Sequence, residues 1–429
     1  MGADWHGVQP SERRQESVKS GCWVMKWVNS VYRGRLALME GSLFVSVDTV
    51  IFPAGNFAYP TPFFPLKDEK MKKILCIRGQ QAHDILGALK AVATGEGAFP
   101  LHEVHRATLQ AIGQYLFQSE IDMDALNGSF SGLADKIADP EIRLGIMNMA
   151  GILPFLEEEN KQARIDTFEH LGSELGFNKK FARELHKLCH NSIAELAICQ
   201  LRPLSREGGM PLWKAPVIMT ESFFHLDGDK KLLAQYESYR EMDDGIFGKV
   251  LIDYYRDNHF PLPGTPGAVF SNMLKIHDMH HVIAGYPTTP LGEICVIAFA
   301  DGMMDGDLSK ALIGYIAQFQ VGLQFDKGLD VWRNQFNPDF VIRAFERGSE
   351  CNVNFDRFDF DFTDLLTEPL EVVRERFNIF AEGAIMQGPE DLWCGDMGIV
   401  GMRQSPDKIE QKQSWFQKLL AASGKNVAD

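Results

Sequence analysis

The run Ile276-His277-Asp278-Met279-His280-His281-Val282, with Tyr286-Pro287-Thr288-Thr289-Pro290-Leu291-Gly292-Glu293 behind it, decides how the chain is read. Its form is H-D-x-x-H, eleven further residues, then a glutamate. On a helix turning about 100° per residue, His277, Asp278 and His281 share one arc of roughly 100°. Side chains four apart are about 5–6 Å from each other at Cβ, so both imidazoles reach one ion. Gly285 is a residue that can end such a helix in the left-handed conformation, and Pro287 cannot continue it. Thr289-Pro290 reads as N-cap and first turn of a second helix, where proline's missing N–H is no loss. Glu293 then lies in the first turn of that second helix, folded back toward the two histidines.

Two histidines at i, i+4 are often ordinary surface groups. An adjacent aspartate and a glutamate after a capped turn move the balance to a divalent-metal site with His277, Asp278, His281 and Glu293 as ligands. Mixed imidazole and carboxylate donors suit zinc first, with iron or manganese as alternatives. Four protein ligands is the usual count of a closed structural site, whereas catalysis needs an open position. Either Asp278 or Glu293 would then orient an imidazole or a water from outside the coordination sphere, or the metal would expand its sphere. In the catalytic version Glu293 or Asp278 moves a proton.

The same run resembles the ubiquinone (coenzyme Q) biosynthesis protein 4 family, whose metal motif is H-D-x-x-H-x11-E followed by P-T-T-x-x-G-E. Both phrases stand intact here. Met242-Asp243-Asp244-Gly245-Ile246-Phe247-Gly248-Lys249 with Tyr254-Tyr255-Arg256-Asp257-Asn258 is similar to the family's G-T-F-G and following helix, and Glu368-Pro369-Leu370-Glu371 with Arg374 to its closing helix. The resemblance covers residues 211 to about 385, under half of the chain. Family members carry basic and acidic residues just before the His-Asp pair, where this chain has Phe270-Ser271-Asn272-Met273-Leu274-Lys275. The resemblance implies metal-dependent removal of the C1 carboxylate from a 4-hydroxy-3-methoxy-5-polyprenylbenzoate-type precursor. It also implies a polyprenylated quinone precursor or other isoprenoid lipid as partner, with other ubiquinone-biosynthesis proteins as further partners. Two alternatives stand beside it. One is a non-catalytic lipid-binding scaffold with a structural metal, organising quinone-pathway enzymes. The other is a metal-dependent hydrolase, for which no distal aspartate or upstream histidine is identifiable.

Composition bounds these readings. The 429 residues are long enough for two or three domains, and 45% hydrophobic with 24% charged residues is globular. A net charge of −15 argues against nucleic acid as a partner and against broad adhesion to anionic membranes. Seven scattered cysteines without a C-x-x-C suit free thiols in a reducing compartment. Cys295, two residues from Glu293, reads as a small buried hydrophobe. No stretch has the length of a transmembrane helix, and the polar start does not read as a signal peptide. The expected location is cytoplasmic, or peripheral to a membrane at most. No G-x-G-x-x-G, P-loop or G-x-S-x-G occurs, which removes the usual support for dinucleotide, ATP and serine-hydrolase chemistry.

The expected fold is all-α, in two helical domains with the metal site on a helix-turn-helix of the second. Residues 1–70 form a poorly defined N-terminal segment, with a hairpin expected around 43–52 and a native start proposed near Met71. Residues 71–205 read as a helical domain of unknown role, with apolar residues at three-to-four spacing over 82–93, 101–117 and 140–153. Asp139-Pro140 marks a helix start, and Gly176 ends the helix over 163–175. A linker spans 205–211. The ubiquinone-biosynthesis-like metal-binding helical domain follows over 211–400, then a C-terminal tail over 401–429 holding a weak amphipathic helix at 408–422. The glycine-spaced apolar helices over 294–325 suit either a groove for a prenyl tail or an ordinary core. His186/Cys189/His190 and His102/His105 have helical ligand spacing but no carboxylate from a second element, so both sets read as structural. His83-Asp84 reads as surface chemistry.

Overall fold

The capping signals explain where the helices begin and end. In the computed structural model, which describes residues 72–177, 225–258, 260–268, 275–303, 308–322, 332–355 and 360–384, Asp139 accepts a hydrogen bond from the Glu141 amide and Pro140 opens the helix behind it. Asn337 does the same for the Asp339 amide ahead of Pro338. At C-termini, Gly95, Gly176 and Gly285 take positive φ of 58°, 83° and 77°. Each is a backbone state that costs a Cβ-bearing residue about 1 kcal/mol or more.

The elements are α1 (Lys72–Leu75), α2 (Gly79–Thr94), α3 (Glu103–Ala111), α4 (Leu133–Lys136), α5 (Pro140–Ile152), α6 (Lys161–Glu174), α7 (Lys230–Ser238), α8 (Phe247–Asp257), α9 (Lys275–Ala284), α10 (Pro290–Met303), α11 (Leu308–Ile316), α12 (Pro338–Glu350) and α13 (Leu370–Arg376). α3 and α11 each run on into a π-helical turn, Ile112–Leu116 and Ala317–Val321. Among the described residues the fold is all-helical. An isolated antiparallel bridge pairs Ile246 with Pro369.

α10 is the central element. Every residue in it except Glu293 is buried, the signature of a helix that packs on all sides. It lies along α12 and also contacts α9 and α11. Its apolar side chains are buried in the core. α9 is buried along its length except at Lys275. α8 packs on α9 with a strongly one-sided apolar face of Phe247, Leu251, Ile252 and Tyr255. Large side chains of this kind contribute about 1.5–3 kcal/mol each when fully buried.

All described residues belong to one compact unit, Phe64–Asp429. Within it the helices before residue 178 pack directly on those after residue 307, α3 on α12 and α5 on α11. The Tyr115 hydroxyl donates to Asp339 at 2.7 Å and the Gln320 amide to the Leu156 carbonyl at 3.0 Å across this boundary. The expected linker at 205–211, the hairpin at 43–52, the start near Met71 and the tail helix at 408–422 lie outside the described residues. No described helix is long and apolar enough to cross a membrane.

Candidate metal centre

α9 ends where its sequence requires. The Gly285 and Tyr286 amides both donate to the His281 carbonyl, at 2.9 and 3.1 Å, while Gly285 turns the chain. α10 then starts with the Thr289 hydroxyl accepting from the Gly292 amide at 3.2 Å. Gly292 is needed for the return. A Cβ there would fall 1.8 Å from the Pro287 carbonyl oxygen, so no larger residue fits beside Glu293 without moving the turn. The result is the helix-turn-helix anticipated from the spacing.

Three of the four expected ligands converge. His277 Nε2 lies 3.1 Å from His281 Nε2 and 3.3 Å from Glu293 Oε2, and His281 Nε2 lies 3.6 Å from Glu293 Oε1. Donors at about 2.0–2.2 Å in tetrahedral array around zinc are spaced at roughly 3.3 Å. The observed edges of 3.1–3.6 Å are close to that spacing, so the three groups could hold one divalent ion. The histidines are buried, and Glu293 keeps 23% of its side chain exposed, so the cluster has one wetted side. Among the described residues this is the one group of three such donors.

Asp278 is elsewhere. It is buried, and its Oδ2 accepts from the Tyr255 hydroxyl at 2.7 Å, with Tyr254 near Oδ1 at 3.4 Å. It borders the cluster without joining it. Burial pushes its carboxyl up to about 6, against the opposing pull of the Tyr255 hydrogen bond and of His277 and His281. For Glu293 burial acts in the same upward sense. The field of His281 and hydrogen bonds to both histidines outweigh it and hold this carboxyl well below the usual range. The site thus pairs a carboxylate kept ionised with one that retains its proton to higher pH.

His281 is fixed from two sides. Its Nδ1 is 3.0 Å from the Tyr286 carbonyl, which only a protonated nitrogen can satisfy, so Nε2 carries the lone pair. The Tyr254 ring stacks on its face, with centroids 5.8 Å apart and planes 26° apart. The connecting turn is held to α8 by the Thr288 hydroxyl donating to Asn258.

The other histidine pairs fit their structural readings. His102 caps α3, accepting from the Val104 amide at 3.3 Å, and His105 is buried with Nε2 on the Leu153 carbonyl at 2.9 Å. Asp84 binds Lys136 at 2.9 Å at the surface. His186, Cys189 and His190 lie outside the described residues. Cys295 is buried, and burial pushes its thiol up, away from reactivity. Sequence reasoning missed Tyr254, Tyr255 and Tyr286 as neighbours of the site, and missed Arg347 altogether. The adjacent tyrosines on the one-sided helix α8 were the only available signal.

The chain matches no protein-family model and no curated protein.

Proposed function

We propose that this chain is a metal-dependent enzyme of ubiquinone biosynthesis, removing the C1 carboxylate of a 4-hydroxy-3-methoxy-5-polyprenylbenzoate-type precursor. The observation that carries the metal part is the convergence of His277, His281 and Glu293 at tetrahedral spacing, with Asp278 held apart. Three protein donors are the count of a catalytic site with one open position. The substrate class rests on the resemblance of the H-D-x-x-H-x11-E and P-T-T-x-x-G-E phrases. A divalent cation, zinc in the first instance, would polarise a carboxylate or phenolate oxygen of the substrate when bound.

The protein's own groups do the remainder. Glu293, ionised, balances charge beside the histidines. Asp278, its carboxyl raised by burial and its position fixed by the Tyr255 hydroxyl, supplies a proton in its protonated form. In the reaction this proton is delivered to ring C1 while the bond from C1 to the carboxylate breaks and carbon dioxide leaves. The para hydroxyl feeds electron density to C1, so a ring π pair forms the new C–H bond and the electron pair of the broken C–C bond returns to the ring. No external oxidant is required.

The test is carbon dioxide release from a short-chain prenylated 4-hydroxybenzoate, measured beside the zinc content of the same preparation. About one equivalent of zinc with carbon dioxide release, both lost in a folded His281→Ala variant, supports the reading. Zinc bound tightly with no turnover, and the fold lost on its removal, favours the scaffold with a structural metal. A folded protein that takes up no divalent metal overturns the proposal.

A further inference from the structure

The C-terminal end of α9 is held by two arginines that arrive from distant parts of the chain. Four carbonyls at a helix end have no partner within the helix. Here the His281 carbonyl takes the turn amides. Arg374 donates to the Val282 carbonyl at 2.8 Å and the Ile283 carbonyl at 2.9 Å. Arg347 Nη1 donates to the Ala284 carbonyl at 3.0 Å and to the Tyr286 hydroxyl at 2.6 Å. Its Nε and Nη2 grip the Phe380 carbonyl at 3.0 and 2.8 Å.

Arg347 is the unusual one. It is 0% exposed, among the largest fully buried side chains of the molecule, and its guanidinium sits 5.2 Å from the Tyr286 ring centroid and 5.7 Å from that of Phe299. Among the described residues no carboxylate pairs with it. A buried cation held by carbonyls and a hydroxyl is an expensive way to fill a core, because removing such a charge from water costs several kcal/mol. An apolar side chain would pack the same space at lower cost. What an apolar side chain would lack is the forked grip on the turn.

That grip lies one residue from the site. Tyr286 is held at both ends, its hydroxyl by Arg347 and its main-chain carbonyl by His281 Nδ1. The carbonyl sets which ring nitrogen of His281 is bare, and the bare one faces His277 and Glu293. We infer that Arg347 is a positioning residue of the metal centre, acting through Tyr286 to hold His281 as the Nδ1–H tautomer with Nε2 turned to the ion. This inference rests on the metal reading of the cluster above. Partners that orient a ligating imidazole typically change metal affinity by about 10- to 100-fold when removed.

The experiment uses the full chain and three variants, Arg347→Lys, Arg347→Met and Tyr286→Phe. Zinc affinity is measured by competition with a chromophoric chelator, the fold by circular dichroism, and the His281 tautomer in metal-free protein by long-range nitrogen–proton NMR. The expected result is the Nδ1–H tautomer in the parent. Tyr286→Phe, which removes one oxygen, stays folded, binds zinc about 10- to 100-fold more weakly and mixes the tautomers. Arg347→Lys, which keeps the charge but not the fork, falls between parent and Arg347→Met. Should Arg347→Met fail to fold, Tyr286→Phe and Arg347→Lys decide the matter. Folded variants that bind zinc within twofold of the parent, or an Nε2–H tautomer in the parent, overturn the inference and leave the metal centre standing. A folded parent that binds no zinc overturns the metal reading and this inference together.

Discussion

The carbonyl oxygen of Phe299 occupies the space that a Cβ on Gly348 would need, 1.9 Å from where that atom would sit. The contact is reciprocated one turn on, where a Cβ on Gly302 would fall 2.2 Å from the Phe345 carbonyl oxygen. α10 and α12 therefore cross backbone to backbone through paired glycines. Arg347 is Gly348's neighbour, so the same crossing that builds the core delivers the guanidinium to the end of α9.

Gly348→Ala and Gly302→Ala should each lower stability by about 3 kcal/mol, because the obstructing atoms are main chain and cannot swing aside. Gly97→Ala is the control. Its φ is +86° with nothing within 4 Å of the added atom, so only the backbone strain of about 1–2 kcal/mol applies. Urea unfolding midpoints test this. Equal losses at all three positions would mean that the helix crossing is looser than described.

The metal donors should separate by role. His281→Ala and His277→Ala each delete a converging atom and should lower zinc affinity by at least 100-fold. Asp278→Asn leaves the cluster intact and should bind about as tightly as the parent, while losing the proton needed at C1. Zinc titration of the three folded variants distinguishes them. Comparable zinc loss in Asp278→Asn would put Asp278 among the ligands.

Glu346, on α12, gives a pH signature away from the site. Burial pushes its carboxyl up to about 7, opposed by Arg343 and reinforced by Glu350. A carboxyl whose folded-state value lies above its unfolded one takes up a proton on folding. Its effect is thus to reduce stability as pH rises from about 4.5 to 7. Glu346→Gln should flatten this slope, leaving stability at pH 5 unchanged and raising it at pH 8 by roughly 1–2 kcal/mol, allowing for solvent screening at a part-exposed group. Thermal melts at the two pH values read it, and a variant no more stable at pH 8 would contradict it.

The buried pair of Arg164 and Glu157, with Nη1 and Oε2 2.6 Å apart and side chains 2% and 10% exposed, ties α6 to the turn before it. Arg164 also donates to the Ala93 carbonyl at the end of α2, at 2.9 Å. Glu157→Ala strands a buried cation and should cost about 3–5 kcal/mol. Glu368→Ala breaks the more exposed pair with Arg376 and should cost about 1 kcal/mol or less. Chemical denaturation in low and high salt checks both, since only the exposed pair should weaken with salt.

Much of this architecture was legible because it is written locally. Asp139-Pro140, Gly176, Gly285 and Thr289-Pro290 mark helix ends through the conformations and hydrogen bonds of a few neighbouring residues, and those ends stand where their chemistry puts them. The convergence of His277, His281 and Glu293 was legible for the same reason, as one helical repeat and one turn bring them together. Asp278 shows the limit. Helical spacing places it on the arc of the histidines, but its partner is chosen by α8, whose Tyr255 takes the carboxylate. Arg347 was illegible because its contacts depend on the crossing of α10 and α12. The π-turns after α3 and α11 likewise reflect tertiary packing that a 3.6-residue period does not encode.

The guanidinium clamp on α9 also has a meaning in time. The three converging donors lie within seventeen consecutive residues and leave the ribosome almost together. The groups that fasten the helix end come far later, Arg347 63 residues after the Ala284 carbonyl and Arg374 92 residues after that of Val282. A chain made from its N-terminus therefore presents its ligands well before it can hold them still. The imidazoles are synthesised early and aimed late, so the centre reaches its final geometry only once the helices that carry Arg347 and Arg374 have emerged and docked.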